Sequence, residues 1–205
     1  MLVCFAVKEE AAPFRRVLPP NVTVVVSGMG PAAAERAAKE QLSAGRWSLV
    51  LTCGFTGGLN PALVHDTVLF EADGEFPLRE KFLAAGAIAG RFHCADCVAV
   101  TAREKAALRE RTGADAVEME SGVIRRWCRE RGIPSATVRV VSDTAGEDLP
   151  LDFNALMKAD GKLDFCKLVG QVLLHPSKIP ALLALGRRSN SAARRLAEVL
   201  RATLR

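Results

Sequence analysis

Short unbroken apolar runs alternate along the chain with stretches whose apolar residues recur at helical spacing. "LVCFAV" (Leu2 to Val7), the β-branched "VTVVV" (Val22 to Val26) and "SLVLTC" (Ser48 to Cys53) are too short for helices and apolar at consecutive positions. They read as strands buried on both faces. Between them "EEAAPFRRVL" and "PAAAERAAKEQLSAG" read as helices, the second with Pro31 at its start and Gly45 just past its end. Further on, "DTVLFE", "CVAV" and "AVEM" read as strands, and "SATVRVVSD" (Ser135 to Asp143) as the last one. Helices are expected from about Ala102 to Arg111, where Thr101 and Glu104 form a capping box, and from Ser121 to Arg131, stopped by Gly132. From Leu151 the pattern stays helical and closes in an amphipathic helix from about Asn190. Strand and helix in alternation argue an α/β fold, with helices covering a largely parallel or mixed sheet.

Composition narrows this picture only a little. At 205 residues, 49% of them hydrophobic and 25% charged, the chain is expected to form one soluble domain with a sizeable core. The opening "MLVCFAV" lacks the basic start of a signal peptide and runs at once into "KEE", so a cytoplasmic location is expected. Six cysteines (Cys4, Cys53, Cys94, Cys97, Cys128, Cys166) lie mostly in apolar runs, as small buried thiols do in a reducing compartment. His93, Cys94 and Cys97 would give zinc three ligands without a fourth or a catalytic glutamate in register, so no metal is expected there.

Charge is concentrated at one end. The segment from Lys178 to Arg205 holds seven basic residues against Glu198, more than the whole net charge of +5. The basic balance therefore belongs to a tail, and no nucleic-acid partner is implied for the body. In that tail an apolar stripe of Ala193, Leu196, Ala197, Leu200 and Leu204 lies opposite arginines. Two readings stand: weak contact with an anionic membrane surface, or packing on the parent domain or across a homodimer, which is the expected assembly.

In an open α/β sheet, chemistry gathers where strands run into loops at one edge. Four junctions qualify: Lys8-Glu9-Glu10, "CGFTGGL" (Cys53 to Leu59), Glu118-Met119-Glu120, and Ser142-Asp143. Three of the four carry acids, each of which has a plainer reading as a helix N-terminal charge. "SGMGPAA" offers a rival: Gly28, Gly30 and Ala33 satisfy the G-x-G-x-x-A dinucleotide fingerprint. That motif needs an acid at the end of the following strand to hold ribose hydroxyls, and this strand ends Leu51-Thr52-Cys53-Gly54. The glycines read instead as a tight turn that lets backbone approach another segment, and no organic cofactor is expected.

Taken together, "AVKEEAAPF", "SGMGPAAA", "CGFTGGLNPAL", "AVEMESG" and "VRVVSDTAG", in this order and spacing, resemble the nucleoside phosphorylase and nucleosidase family, most of all its methylthioadenosine/S-adenosylhomocysteine nucleosidase branch. The resemblance covers about residues 1 to 155, and the tail "HPSKIPALLALGRRSNSAARRLAEVL" is similar, more loosely, to hopanoid-associated phosphorylase-like proteins. It implies a three-layer fold with a central mixed sheet, and cleavage of the bond between ribose and a purine through an oxocarbenium-like transition state.

By that resemblance Asp143 protonates or hydrogen-bonds the leaving base, its proton held by burial or by a neighbour such as Ser142; its alternative is a helix cap. Glu120 accepts hydrogen bonds from ribose hydroxyls, with Glu118 supporting it or solvated, and Met119 lies under the sugar or packs as core. Glu10 activates water, or is an exposed first-turn charge. Two departures from the family pattern stand out. Phe55 occupies a position where a small or hydroxyl residue is usual, so only the backbone of Thr56 and Gly57 carries over. Val98 is the nearest match to an aromatic that stacks on adenine. Arginines that would hold phosphate are missing near the first strand, which offers Lys8, while Arg46 lies on the far side of the third. Water is therefore the expected nucleophile and phosphate the alternative.

Overall fold

The computed structural model describes residues 1–156 and 164–205, and the side chains of Phe165 and Cys166 lie outside the described part. The helical reading of 157–163 and the burial expected of Cys166 therefore fall outside the described residues. In chain order the elements are β1 (Leu2–Phe5), α1 (Lys8–Arg15), β2 (Thr23–Val26), α2 (Pro31–Ala44), β3 (Val50–Gly58) and β4 (Val68–Ala72). They continue with α3 (Arg79–Ala84), β5 (Ile88–Ala89), β6 (Phe92–Cys94), α4 (Ala102–Thr112), β7 (Ala116–Glu118) and α5 (Ser121–Arg129). The last are β8 (Ser135–Asp143), α6 (Phe153–Leu156), α7 (Phe165–Leu174) and α8 (Ile179–Thr203).

The strands form one mixed sheet in the order β2-β1-β3-β8-β4-β5, with β7 beside the far end of β3 and β6 beside β7. Its centre is parallel, β1 with β2 and β3, and β3 with β8, whereas β4 runs antiparallel to β8 and β7 antiparallel to β3. Side chains alternate across a pleat, and β1 shows what this does. Val3 and Phe5 enter a core shared with Phe14 of α1 and Leu196 and Leu200 of α8. Leu2 and Cys4 enter another core with Ala34 and Ala38 of α2 and Ile124 of α5. Helices thus cover both faces, as the unbroken apolar runs require: an α/β sandwich of three layers.

The capping box of α4 forms as predicted: the Glu104 amide donates to Thr101 Oγ1 at 3.2 Å, and the Thr101 amide to Glu104 Oε2 at 2.9 Å. Four expectations need correction. "CVAV" is not a strand, because side chain and loop satisfy its backbone: Val98 exchanges two hydrogen bonds with the Asn154 amide, and Val100 accepts from the Leu149 amide. Pairing falls instead to β6, three residues upstream of Cys97. "GFTGG" is not a loop, since β3 runs on to Gly58, where Gly57 and Gly58 pair with Val117 and Ala116. The closing helix begins at Ile179 rather than near Asn190. Its stripe of Ala193, Leu196, Ala197, Leu200 and Leu204 is buried in the parent core, so it offers no face to a membrane. The short elements α3, β5 and β6 carried no readable periodicity.

Candidate active site

Four strand ends and one turn converge on a cavity of about 220 Å³ at the edge where β1, β3, β7 and β8 stop. Its wall holds Glu10, Phe55, Thr56, Gly57, Val98, Glu118, Met119, Glu120, Ser142 and Asp143, the residues to which the family resemblance gives a role or a place in the site. Of the other candidates, Lys8, Glu9 and Arg46 are exposed.

Glu10 lies in the first turn of α1 but is 4% exposed, which removes the reading of a solvated helix charge. Its carboxyl reaches back over the helix start, where Oε2 accepts from the amides of Ala6 and Val7 at 3.1 and 3.2 Å. The other oxygen accepts from the Phe55 amide at 2.8 Å. This junction needs glycine beside it. Gly54 has φ 152°, and a Cβ there would come within 2.7 Å of both Glu10 Oε1 and an Arg139 nitrogen. Burial pushes the Glu10 carboxyl up to about 7, against the pull of Arg139 and the amides. A carboxyl poised there is a general base suited to neutral pH.

Arg139 was missed by sequence reasoning, although it stands between the buried Val138 and Val140 in mid-strand, where a cation must find acids. It is 1% exposed, and one terminal nitrogen meets Glu118 at 2.6 Å, Glu120 at 3.1 Å and Thr52 Oγ1 at 3.1 Å. Burial disfavours its charge, yet Glu118, Glu120 and Glu10 together raise its pKa further. Glu118 is not solvated. It accepts from the amides of Glu120 and Ser121 and from the Ser121 hydroxyl, so it anchors the start of α5 as well as Arg139. Burial opposes its charge, but Arg139 and these donors outweigh it and hold the carboxyl below its usual range. Glu120 goes the other way: burial, with the neighbouring Glu118 charge, lifts it despite Arg139.

Glu120 also ties in the turn after β2, since its Oε1 accepts from the Gly30 amide at 2.9 Å. Gly28 and Gly30 both have positive φ, 90° and 82°, and a Cβ on Gly28 would meet Ala33 Cβ at 3.0 Å. The glycine turn is thus the close backbone approach read from the sequence, and it brings Met29, a contributor the sequence did not announce, to the cavity wall that also holds Met119 of the β7–α5 junction.

Asp143 owes its place to a bulge. Along β3 and β8 the register is one to one as far as Thr56 opposite Val141, and then Gly57 stands opposite Asp143, leaving Ser142 extra. Bulges re-aim side chains at strand ends. Ser142 Oγ donates to Asp143 Oδ1 at 2.7 Å, as expected of a neighbour, and Asp143 Oδ2 meets Lys105 Nζ of α4 at 2.5 Å. Thr56 spends its hydroxyl on the Val117 carbonyl, at 2.7 Å, so only its backbone is left for other work. The wall is otherwise apolar, from Val7, Met29, Phe55, Val98, Ala99, Met119 and Leu149. Such a pocket suits a flat or aliphatic group held at its ends by carboxylates.

The fold is that of the nucleoside phosphorylase and nucleosidase class, and a sequence model of the phosphorylase superfamily matches residues 80–173, the span that holds β7, α5 and β8. Futalosine hydrolase of Helicobacter pylori strain 26695 is similar over 99% of this chain and 96% of its own, at 16% identity and a TM-score of 0.71. The 5'-methylthioadenosine/S-adenosyl homocysteine nucleosidase of Campylobacter jejuni is similar over 99% and 97%, at 18% identity and a TM-score of 0.70. The corresponding nucleosidase of Neisseria meningitidis, solved in complex with methylthio-immucillin-A, matches over 99% and 97%, at 19% identity and a TM-score of 0.71. No curated protein matches the chain by sequence.

Proposed function

We propose that the chain is an N-ribosyl hydrolase that cleaves the N-glycosidic bond of a purine nucleoside or a 5′-modified adenosine derivative. The observation that carries this reading is Glu10: a buried carboxyl hung on three amides in the cavity wall, with its pKa near neutrality. It is placed and tuned to take a proton from water. Glu120 and Met119 form the sugar side, where the carboxylate accepts ribose hydroxyls and favours positive charge on the ring. Asp143 serves the leaving base. The nucleosidases of like fold support the reaction class.

Charge favours water over phosphate. Among the described residues lining the cavity, Arg139 is the single cation, and Glu118 and Glu120 already engage it. A phosphate dianion would face Glu10, Glu118, Glu120 and Asp143 without a free donor of matching charge. The test is a panel of adenosine, methylthioadenosine, S-adenosylhomocysteine, inosine and futalosine, scored for free base in phosphate-free buffer. Release from at least one is expected, and release from none removes the proposal.

A membrane-surface contact also belongs to this reading, moved from the buried stripe of α8 to the bend before it. Val169, Leu173, Leu174, Ile179 and Leu183 are exposed around a 100° turn between α7 and α8, though among the described residues no single helix is long and apolar enough to cross a membrane. Lys167, Lys178 and Arg187 flank them, and the sequence holds no acid from Phe165 to Ala197. Apolar residues within a basic segment suit an anionic bilayer surface. The protein is expected to sediment with phosphatidylserine-containing vesicles and not with phosphatidylcholine alone, and Leu173→Glu with Leu174→Glu is expected to abolish binding. Equal sedimentation of wild type and variant would refute the contact.

A further inference from the structure

Lys105 is the only buried residue of α4, and none of it is exposed. Burying an ammonium is costly, and packing alone would be served by an aliphatic side chain. Its three donors are all taken: Thr144 O at 2.9 Å, Glu147 O at 2.8 Å and Asp143 Oδ2 at 2.5 Å. The side chain passes behind Gly57, where a Cβ would lie 3.2 Å from Asp143 Oδ2 and 3.8 Å from Lys105 Cε. Glycine in β3 thus leaves room for the pair to form at the cavity wall. An ammonium in direct contact holds a carboxylate in its charged form. An ionised carboxylate has about four acceptor sites and no proton to give. The Ser142 hydroxyl fills one site on Oδ1 and Lys105 one on Oδ2, so each oxygen keeps a second. The Asp143 side chain, 12% exposed, borders the cavity with those sites free.

We propose that Lys105 sets the base specificity of the site: by holding Asp143 as a pure acceptor, it selects purine nucleosides with a 6-amino group over those with a 6-oxo group. This rests on the nucleosidase reading above, in which Asp143 faces the leaving base. A 6-aminopurine offers the carboxylate one N–H, and a second once the adjacent ring nitrogen carries a proton. Asp143 accepts both, so it receives the base by hydrogen bonding, the second of the two roles the resemblance allows it. A 6-oxopurine turns a carbonyl oxygen to the same carboxylate, acceptor against acceptor. The nearby donors cannot relieve this. Ser142 spends its hydroxyl on Asp143, Thr56 donates to the Val117 carbonyl, and Arg139 is engaged by Glu118 and Glu120. Polar groups left facing one another unpaired cost more than a missing contact, so the discrimination is steep.

The lysine also holds the Thr144–Glu147 loop, so the experiment reads a ratio, which does not depend on the fraction of a preparation that is folded. kcat/KM is measured on pairs that differ only at the 6-position: adenosine with inosine, and methylthioadenosine with methylthioinosine. The wild type is expected to prefer the amino member by at least about 100-fold. Lys105→Met is expected to reduce that preference at least about tenfold. Without its counter-charge, and with Glu10, Glu118 and Glu120 lining the same cavity, the carboxyl takes up a proton and can donate to a 6-oxo group. Asp143→Asn leaves Lys105 in place and turns an amide NH₂ to the base, so it is expected to favour the oxo member. A wild-type preference under about tenfold, the same preference in Lys105→Met as in wild type, or an Asp143→Asn variant that still favours the amino member would overturn the proposal while leaving the hydrolase reading intact. A wild type that releases base from none of the four would defeat that reading itself.

Discussion

Replacing Glu10 by glutamine is expected to lower kcat by about 10²- to 10⁴-fold, the range that loss of a general base produces, while the protein stays folded. Glutamine retains one oxygen for the backbone amides but has no site for a proton from water. The pH dependence carries the same signature. Glu10 must be ionised to act, and burial sets its pKa at about 7. In the wild type kcat/KM is therefore expected to climb with pH up to about 7 and then level, falling about tenfold for each unit below. In Glu10→Gln the residual rate should lose this limb. A wild-type profile flat from pH 5 to 8, or a glutamine variant of near-normal rate, would show that Glu10 is not the base.

The second large effect concerns stability. Arg139→Met removes the buried cation that Glu118 and Glu120 share, and leaves two carboxylates, each 5% exposed, without it. Breaking a buried pair in this way costs about 3–5 kcal/mol, much of a typical domain's stability. The loss is expected to depend on pH. Without the cation the stranded carboxyls have folded-state pKa values above their unfolded ones, so the native state binds more protons than the unfolded state. The deficit should be full at neutral pH and shrink as pH falls toward the unfolded carboxylate range. Urea unfolding of wild type and Arg139→Met at pH 7.5 and 5 reads this directly. A deficit under about 1 kcal/mol at neutral pH would mean that the triad is not held together by charge.

The site was legible where function forces unusual residues into conspicuous places. Acids at the ends of apolar strands, and the glycines of "SGMG" and "GFTGG", break the local pattern; Glu10, Glu118, Glu120 and Asp143 meet at one cavity wall, to which these two segments bring Met29 and Gly57. Arg139 breaks it just as plainly, as the one cation in the middle of a nine-residue strand buried throughout, and its partners two strands away explain it. Lys105 left no such mark. It sits in a polar, charge-rich helix where a lysine is ordinary, and only tertiary placement of α4 against the β8 loop buries it.

The fold was legible at its centre for a similar reason. β1, β3 and β8 are buried on both faces, so continuous apolar runs specify them. The edges were not, because there the decisive partners lie far off in sequence: Asn154 takes the backbone of Val98 out of strand pairing, and β7 turns "TGG" from a loop into strand. The start of α8 was hidden because its first half is largely exposed and lacks a periodic apolar face.

One measurement bears most directly on the central claim, that this cavity breaks a nucleoside's glycosidic bond with water. With whichever panel nucleoside releases base fastest, the sugar product is identified at zero and at saturating phosphate. The predicted result is free sugar in both, at the same rate. Accumulation of a sugar 1-phosphate, with base release only when phosphate is present, would contradict it.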